Sequence, residues 1–287
     1  MTDRRPNRRS AMFLPALQPD RIAEVVAAGA DIVVFDLEDG TAEARKDEAR
    51  AVVAAAFEGA LDRPLDRPLL RYLRINHPAS PAGIRDLAAV LDWRSPPDGL
   101  VIPKAECAAE IAWAHQTAGA VHPGLDLMPI IETPAGLEAA PEIARAPGVA
   151  ALLLGCDDLS GALGSDRGWD AMAYARGRVA AAAGAAGVEA MDGPWRDPDD
   201  PDGLIAETNR IAAMGFSGKA CYHASQVPHI HAAFTPAPVA IAEAEAILAA
   251  AAADDSGLTH AGGRVVNAAV VKNARRLLAL ADRRGLR

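Results

Sequence analysis

Eight times along this chain a short apolar run ends in charged or polar residues, and most of these runs lead into an alanine-rich helical segment. The runs are SAMFLP (10–15), IVVFDL (32–37), LRYLRIN (70–76), GLVIP (99–103), DLMPII (126–131), the VAALLLG run before Asp157, VEAMDG (188–193) and FSGKACYH (216–223). A run such as Leu127, Met128, Pro129, Ile130, Ile131 is too apolar to face water on either side, so it reads as a strand of a parallel sheet buried on both faces. Strand alternating with helix is the pattern of parallel βα units, and eight of them favour closure into a (β/α)8 TIM barrel over an open sheet. The 287 residues suffice for one such α/β barrel, which typically needs about 250, and leave a C-terminal excess.

That excess reads as a helical hairpin: an alanine-rich helix over 237–253, a polar loop over 254–263 and a last helix over 265–284. The expected organisation is a disordered segment at 1–8, a TIM barrel at 9–235, and a helical extension at 236–287 that packs on a neighbouring subunit. The near-duplicated LDRPLDRPLL stretch reads as a linker without chemistry, and Gly161–Gly164 as a turn. Apolar residues make up 51% and aromatics only 4%, so the core must be built from Ala, Val, Leu and Ile. A net charge of −9 argues against a nucleic-acid surface. Three cysteines without CxxC spacing suit a reducing compartment, and Cys156 and Cys221 read as small buried residues. No long apolar segment follows the basic N-terminus, so neither a signal peptide nor a membrane span is expected, and the location is expected to be cytoplasmic.

In a parallel barrel the C-terminal strand ends share one face, where enzymes of this fold carry their sites. The polar residues at those ends are Asp36, Glu38, Asp39, Arg74, Asn76, Lys104, Glu132, Asp157, Asp158, Asp192 and Lys219. Glu132 and Asp158 follow consecutive strands and should converge on one mouth. Two carboxylates there make a hard oxygen site suited to Mg²⁺ or Mn²⁺. Taken singly, an Asp in this position serves equally well as a helix cap. Arg74 offers a bidentate fork to a substrate carboxylate or developing oxyanion, or else a salt bridge to Glu38 or Asp39. Lys104 and Lys219 read as neutralising neighbouring carboxylates. His77, His223, His229 and His231 lack metal-ligand spacing, and there is no nucleophile elbow or phosphate loop.

The blocks RRSAMFLPA, FDLEDGTAEARKDEAR, LRIN, VIPKAE, PIIETPAGL, LLLGCDDLSGALG and GKACYHASQV together resemble the CitE-like branch of the HpcH/HpaI aldolase and citrate lyase β-subunit family. The resemblance implies a TIM barrel assembled as trimers or hexamers, a bound Mg²⁺, and acyl-thioester substrates such as malyl-CoA or citramalyl-CoA. By motif position it makes Glu132 and Asp158 the metal ligands and Arg74 the carboxylate or oxyanion partner. Glu38 and Asp39 become the acidic pair that orders metal-bound water, and Arg9, Lys46, Lys219 and His223 line the CoA side. The implied reaction is cleavage of a β-hydroxyacyl-CoA to acetyl-CoA and a 2-oxo acid.

One block departs from the family pattern of glycine, a basic residue, two apolar residues and Asp. Here it reads Gly263-Arg264-Val265-Val266-Asn267, and Asn takes no part in proton transfer at neutral pH. His223-Ala224 also replaces His-Pro. Two alternatives therefore stand beside the lyase: an aldolase acting on a free 2-oxo acid such as pyruvate without CoA, and a weakly catalytic or non-catalytic acyl-CoA-binding subunit.

Overall fold

The computed structural model describes residues 6–59, 69–253 and 259–287. Each of the eight runs forms a strand: β1 (Ser10–Pro15), β2 (Ile32–Asp36), β3 (Leu70–Arg74), β4 (Gly99–Ile102), β5 (Asp126–Ile131), β6 (Ala151–Leu154), β7 (Glu189–Asp192) and β8 (Gly218–Cys221). Every neighbouring pair is parallel, and β1 closes on β8 with Ala11 opposite Ala220, giving a closed eight-stranded barrel. The helices are α1 (Ile22–Ala28), α2 (Lys46–Glu58), α3 (Pro81–Asp92), α4 (Ala108–Gly119), α5 (Pro134–Ile143), α6 (Cys156–Leu163), α7 (Trp169–Ala186), α8 (Pro201–Ala213) and α9 (Val227–Ala233). After these come α10 (Pro238–Ala253), the strands β9 (Thr259–Ala261) and β10 (Arg264–Val266), and α11 (Ala268–Arg283).

Local chemistry sets several helix starts. The hydroxyl of Ser80 accepts from Gly83 N at 3.0 Å and that of Thr133 from Gly136 N at 3.0 Å, each with a proline at the first helical position. These contacts satisfy N–H groups that the first turn leaves without partners.

Alternate residues of the strands fill the barrel. Ala11, Phe13, Ile32, Val34, Tyr72, Val101, Met128, Ile130, Ala151, Leu153, Met191 and Ala220 form one buried cluster drawn from all eight strands. Below it the barrel is plugged. Arg8 donates to the Tyr72 hydroxyl at 3.1 Å and pairs with Asp126 at the start of β5, and the Tyr72 hydroxyl donates to Asp126 at 2.6 Å. Burial drives the Tyr72 pKa well above its ordinary value, so the hydroxyl stays a donor.

Three local expectations are corrected. Arg8, expected within a disordered segment, has its side chain buried in this plug; residues 1–5 lie outside the described residues. Gly161 and its neighbours continue α6, which ends at Leu163 with Gly164 as its left-handed cap. The last helix begins at Ala268 rather than at 265, because 259–266 form an antiparallel hairpin turned by Gly262 and Gly263, both at positive φ. The run from Ala224 to Ala253 is long and apolar enough, by length and composition, to cross a membrane. Its backbone nevertheless leaves the helix at residues 234–237, so α9 has 7 residues and α10 has 16, each short of the roughly 20 a spanning helix needs. The LDRPLDRPLL stretch falls almost wholly outside the described residues.

The chain divides into two compact units, Arg8–His231 holding the barrel and the other formed mainly by Ala232–Arg287. Within the second unit α10 and α11 bury Ala244, Ala274 and Leu278 between them, flanked by Ile241, Ile247, Leu248 and Leu277.

Candidate active site

Continuing the inward alternation one step past the core predicts which residues face the mouth. From Ile32 and Val34 it leads to Asp36, from Tyr72 to Arg74, and from Met128 and Ile130 to Glu132. From Leu153 it leads to Gly155, from Met191 to Gly193, and from Ala220 to Tyr222. Except for Asp36, these residues line one cavity of about 160 Å³ together with Phe13, Asp39, Asp157 and Asp158.

Arg74 is held from below by Asp36. Its Nε donates to Asp36 Oδ1 at 2.7 Å and its Nη2 to Oδ2 at 2.5 Å, while Nη1 pairs with Glu38 Oε2 at 2.7 Å. Burial opposes the charge, but the Asp36 hydrogen bonds and the surrounding carboxylates drive the guanidinium pKa further up. Asp36 also accepts from the N–H groups of Glu38 and Gly40, both at 2.9 Å, which fixes the loop that carries Glu38 and Asp39. The guanidinium lies over the Phe13 ring, 5.6 Å from its centroid. Asp36 thus anchors the site, although the sequence singled out Glu38 and Asp39 as the partners of Arg74.

Glu132 is 5% exposed. Its Oε1 accepts from Lys104 N at 2.8 Å. Gly155 makes room for the carboxylate: a Cβ there would lie 2.5 Å from Glu132 Oε2. Burial pushes the Glu132 pKa up to about 7, helped by the nearby charge of Glu38 and opposed by the Lys104 N–H. Asp157 and Asp158 sit in the first turn of α6, on the next strand's connection. Asp157 is taken by two arginines, Arg167 Nε and Arg196 Nη2, each at 2.7 Å. Asp158 faces Lys104 Nζ at 3.4 Å. That ammonium also pairs with Glu38 Oε1 and lies 3.9 Å from Asp39 Oδ2. Lys104 is the one non-glycine residue among those described with positive φ, at 50°.

The structure does not bring every expected residue to this mouth. Lys219 and Asp192 are offset by one position from the inward residues Ala220 and Met191, so both side chains point outward into the helix layer. Lys219 is fully buried and pairs with Asp192 at 2.9 Å and with Glu207 of α8 at 2.7 Å. Arg176 of α7 closes the network on the same two carboxylates, and these cations hold the Asp192 pKa low against its complete burial. Lys219 is therefore a wall residue. Arg9 precedes β1, at the opposite end of the barrel, and forks onto Asp31 with both contacts at 2.8 Å. Lys46 is buried at the start of α2, bonded to the Asn76 side chain. His223 is exposed just after β8, beside Tyr222. Cys156 and Cys221 are buried, and burial pushes both thiols up to about 12. Sequence reasoning missed Phe13, Gly155 and Tyr222, all legible from strand parity.

Asn267 belongs to the second unit. It is the N-cap of α11, and its side-chain oxygen accepts from Val270 N at 3.1 Å.

The family model described as HpcH/HpaI aldolase/citrate lyase matches residues 9–224. Among similar proteins, the mitochondrial citramalyl-CoA lyase of Rattus norvegicus is 31% identical over 85% of this chain and 76% of its own length. The (3S)-malyl-CoA thioesterase of Cereibacter sphaeroides is 31% identical over 96% of this chain and 94% of its own. Among solved structures, CitE from Mycobacterium tuberculosis in complex with magnesium, acetoacetate and coenzyme A superposes with a TM-score of 0.79 at 32% identity, covering 97% of this chain and 99% of that one.

Proposed function

The chain belongs to the HpcH/HpaI aldolase/citrate lyase family, and from that premise we propose that it is a Mg²⁺-dependent carbon–carbon lyase. Its substrate is a short β-hydroxyacyl-CoA such as malyl-CoA or citramalyl-CoA, and its products are acetyl-CoA and a 2-oxo acid. The observation that carries this reading is that Arg74, Glu132 and Asp158 line one cavity at the C-terminal mouth of a closed barrel.

The residues present suit the metal. Glu132 and Asp158 would hold it: both offer hard carboxylate oxygens, and Gly155 leaves Glu132 Oε2 uncovered. Among the described residues no three His, Cys, Asp or Glu side chains are clustered to hold a metal. Two carboxylates are what Mg²⁺ typically takes from protein, leaving its other positions to water and substrate. Mn²⁺ would fit the same donors. When bound, the metal supplies Lewis-acid polarisation of the 2-hydroxyacid end of the substrate.

The chain's own groups do the rest. In the reaction the bond between the hydroxyl-bearing carbon and the thioester α-carbon breaks, its electron pair passes into a thioester enolate, the hydroxyl gives its proton to water as it becomes the oxo group, and the enolate α-carbon takes one proton from water to give acetyl-CoA. Arg74 has five N–H donors, of which Asp36 takes two, while Glu38 stands in ion-pair contact with Nη1 at 2.7 Å. The N–H groups left on Nη1 and Nη2 are available to an oxyanion, already oriented by Asp36 so that little reorganisation is needed as charge develops. The cavity of about 160 Å³ suits an acyl head group, with the CoA arm outside it past the exposed Tyr222 and His223. Glu38 and Asp39 are read as ordering water around the metal, and Lys46 as supporting the rim through Asn76. The protein is further read as a cytoplasmic trimer or hexamer, with 236–287 packing on a neighbouring subunit and no nucleic-acid or membrane partner.

The test is a Mg²⁺-dependent assay for glyoxylate and pyruvate release from malyl-CoA and citramalyl-CoA, with wild type beside Asn267→Asp. Metal-dependent release by wild type is the expected result. Release by the Asp variant alone would make the natural chain an acyl-CoA binder without its acid-base group. Silence in both would favour an aldolase acting on a free 2-oxo acid.

A further inference from the structure

Lys104 touches both halves of the carboxylate pair at once. Its backbone N–H donates to Glu132 Oε1 at 2.8 Å, and its ammonium stands 3.4 Å from Asp158 Oδ2 while paired with Glu38. A residue with a Cβ reaches φ of 50° only at a conformational cost. That conformation aims main chain and side chain into the same site.

The charges around the mouth explain why a cation is needed there. Asp36, Glu38, Asp39, Glu132 and Asp158 supply five carboxylates, and Arg74 is committed to Asp36 and Glu38. Asp157 is set apart by Arg167 and Arg196. Among the described residues this leaves the Lys104 ammonium as the cation that faces Asp158, with Asp39 beside it and Glu132 close enough to raise its pKa. Unlike Arg74, the Lys104 side chain is only half-buried, at 40% exposed, so it has a path into solvent.

We infer that Lys104 is a tethered counter-cation, which holds the carboxylate pair together when no metal is bound and is displaced when a divalent cation enters. The inference rests on the assignment of Glu132 and Asp158 as the metal pair. A divalent ion between those carboxylates and an ammonium 3.4 Å from one of them repel each other strongly in a half-buried site. Metal entry therefore expels the ammonium, which then lies at the rim of the site beside the incoming substrate. The metal-free protein keeps its site assembled, and the cost is weaker metal affinity.

Titration calorimetry with MgCl₂, paired with thermal unfolding in chelator, tests this on the full chain with Lys104→Met and Lys104→Arg. The expected result is that Lys104→Met binds Mg²⁺ on the order of tenfold more tightly than wild type and unfolds at a lower temperature without metal. Lys104→Arg keeps the charge and stays near wild type in both. Unchanged or weaker Mg²⁺ affinity in the Met variant overturns the inference while leaving the metal site standing. Absence of Mg²⁺ binding by wild type overturns the site assignment and this inference with it.

Discussion

Glu132 is where burial and charge oppose each other most strongly. Its carboxyl releases a proton near pH 4.5 when unfolded but holds it to about 7 in the folded chain. The folded state therefore binds the proton more tightly, so this group favours folding at low pH. That contribution falls as pH rises from about 4.5 to about 7 and is constant above, and the full swing is on the order of 3 kcal/mol. Unfolding of wild type and Glu132→Gln in chelator, followed from about pH 4 to about pH 8, should show the variant with the flatter profile. Parallel profiles would mean that Glu132 titrates normally. At this scale the sequence was legible where alternation was followed and misleading where it was not. Glu132 lies two residues past Ile130 and shares its face, whereas Asp192 lies one past Met191 and turns away. Both end an apolar run, so counting run ends could not separate them.

Among the elements, β7, β8, α7 and α8 meet around two buried cations and two carboxylates, Arg176, Lys219, Asp192 and Glu207. The network also reaches α6, since the Cys156 thiol donates to Asp192 at 3.8 Å. Removing one buried charge strands its partners without water, which typically costs about 3–5 kcal/mol. Lys219→Met should lose stability of that order in chemical denaturation. A loss under about 1 kcal/mol would mean that the wall relaxes enough to hydrate Asp192. All eight strands were readable from their apolar runs, most of them buried on both faces. The β9–β10 hairpin was not, although its signal was present in two adjacent glycines between two short runs. Gly262 and Gly263 take φ of 55° and 76°, the pair of left-handed residues that a tight hairpin turn requires. Reading 263–267 as one block joined the second strand to the helix behind it.

For the molecule as a whole, the barrel unit is self-sufficient in its core while the second unit is not. In α10 only Ala244 is buried, and Val239 is 66% exposed on a helix whose charged residues are Glu243 and Glu245. An apolar helix so thinly covered calls for a further partner, and a second copy of the chain is the expected one. Sedimentation velocity should then give a species of three or six chains rather than a single chain of 29.8 kDa; a lone monomer at micromolar concentration would remove the oligomer reading. The plug of Arg8, Tyr72 and Asp126 at the base has its own consequence for traffic. Above the plug the barrel interior is itself packed solid, so the cavity at the mouth is a blind pocket with a single doorway, and whatever sits deepest entered first and must depart last. For a substrate cleaved in two inside it, the order in which the fragments leave is fixed by the architecture before any difference in their affinities.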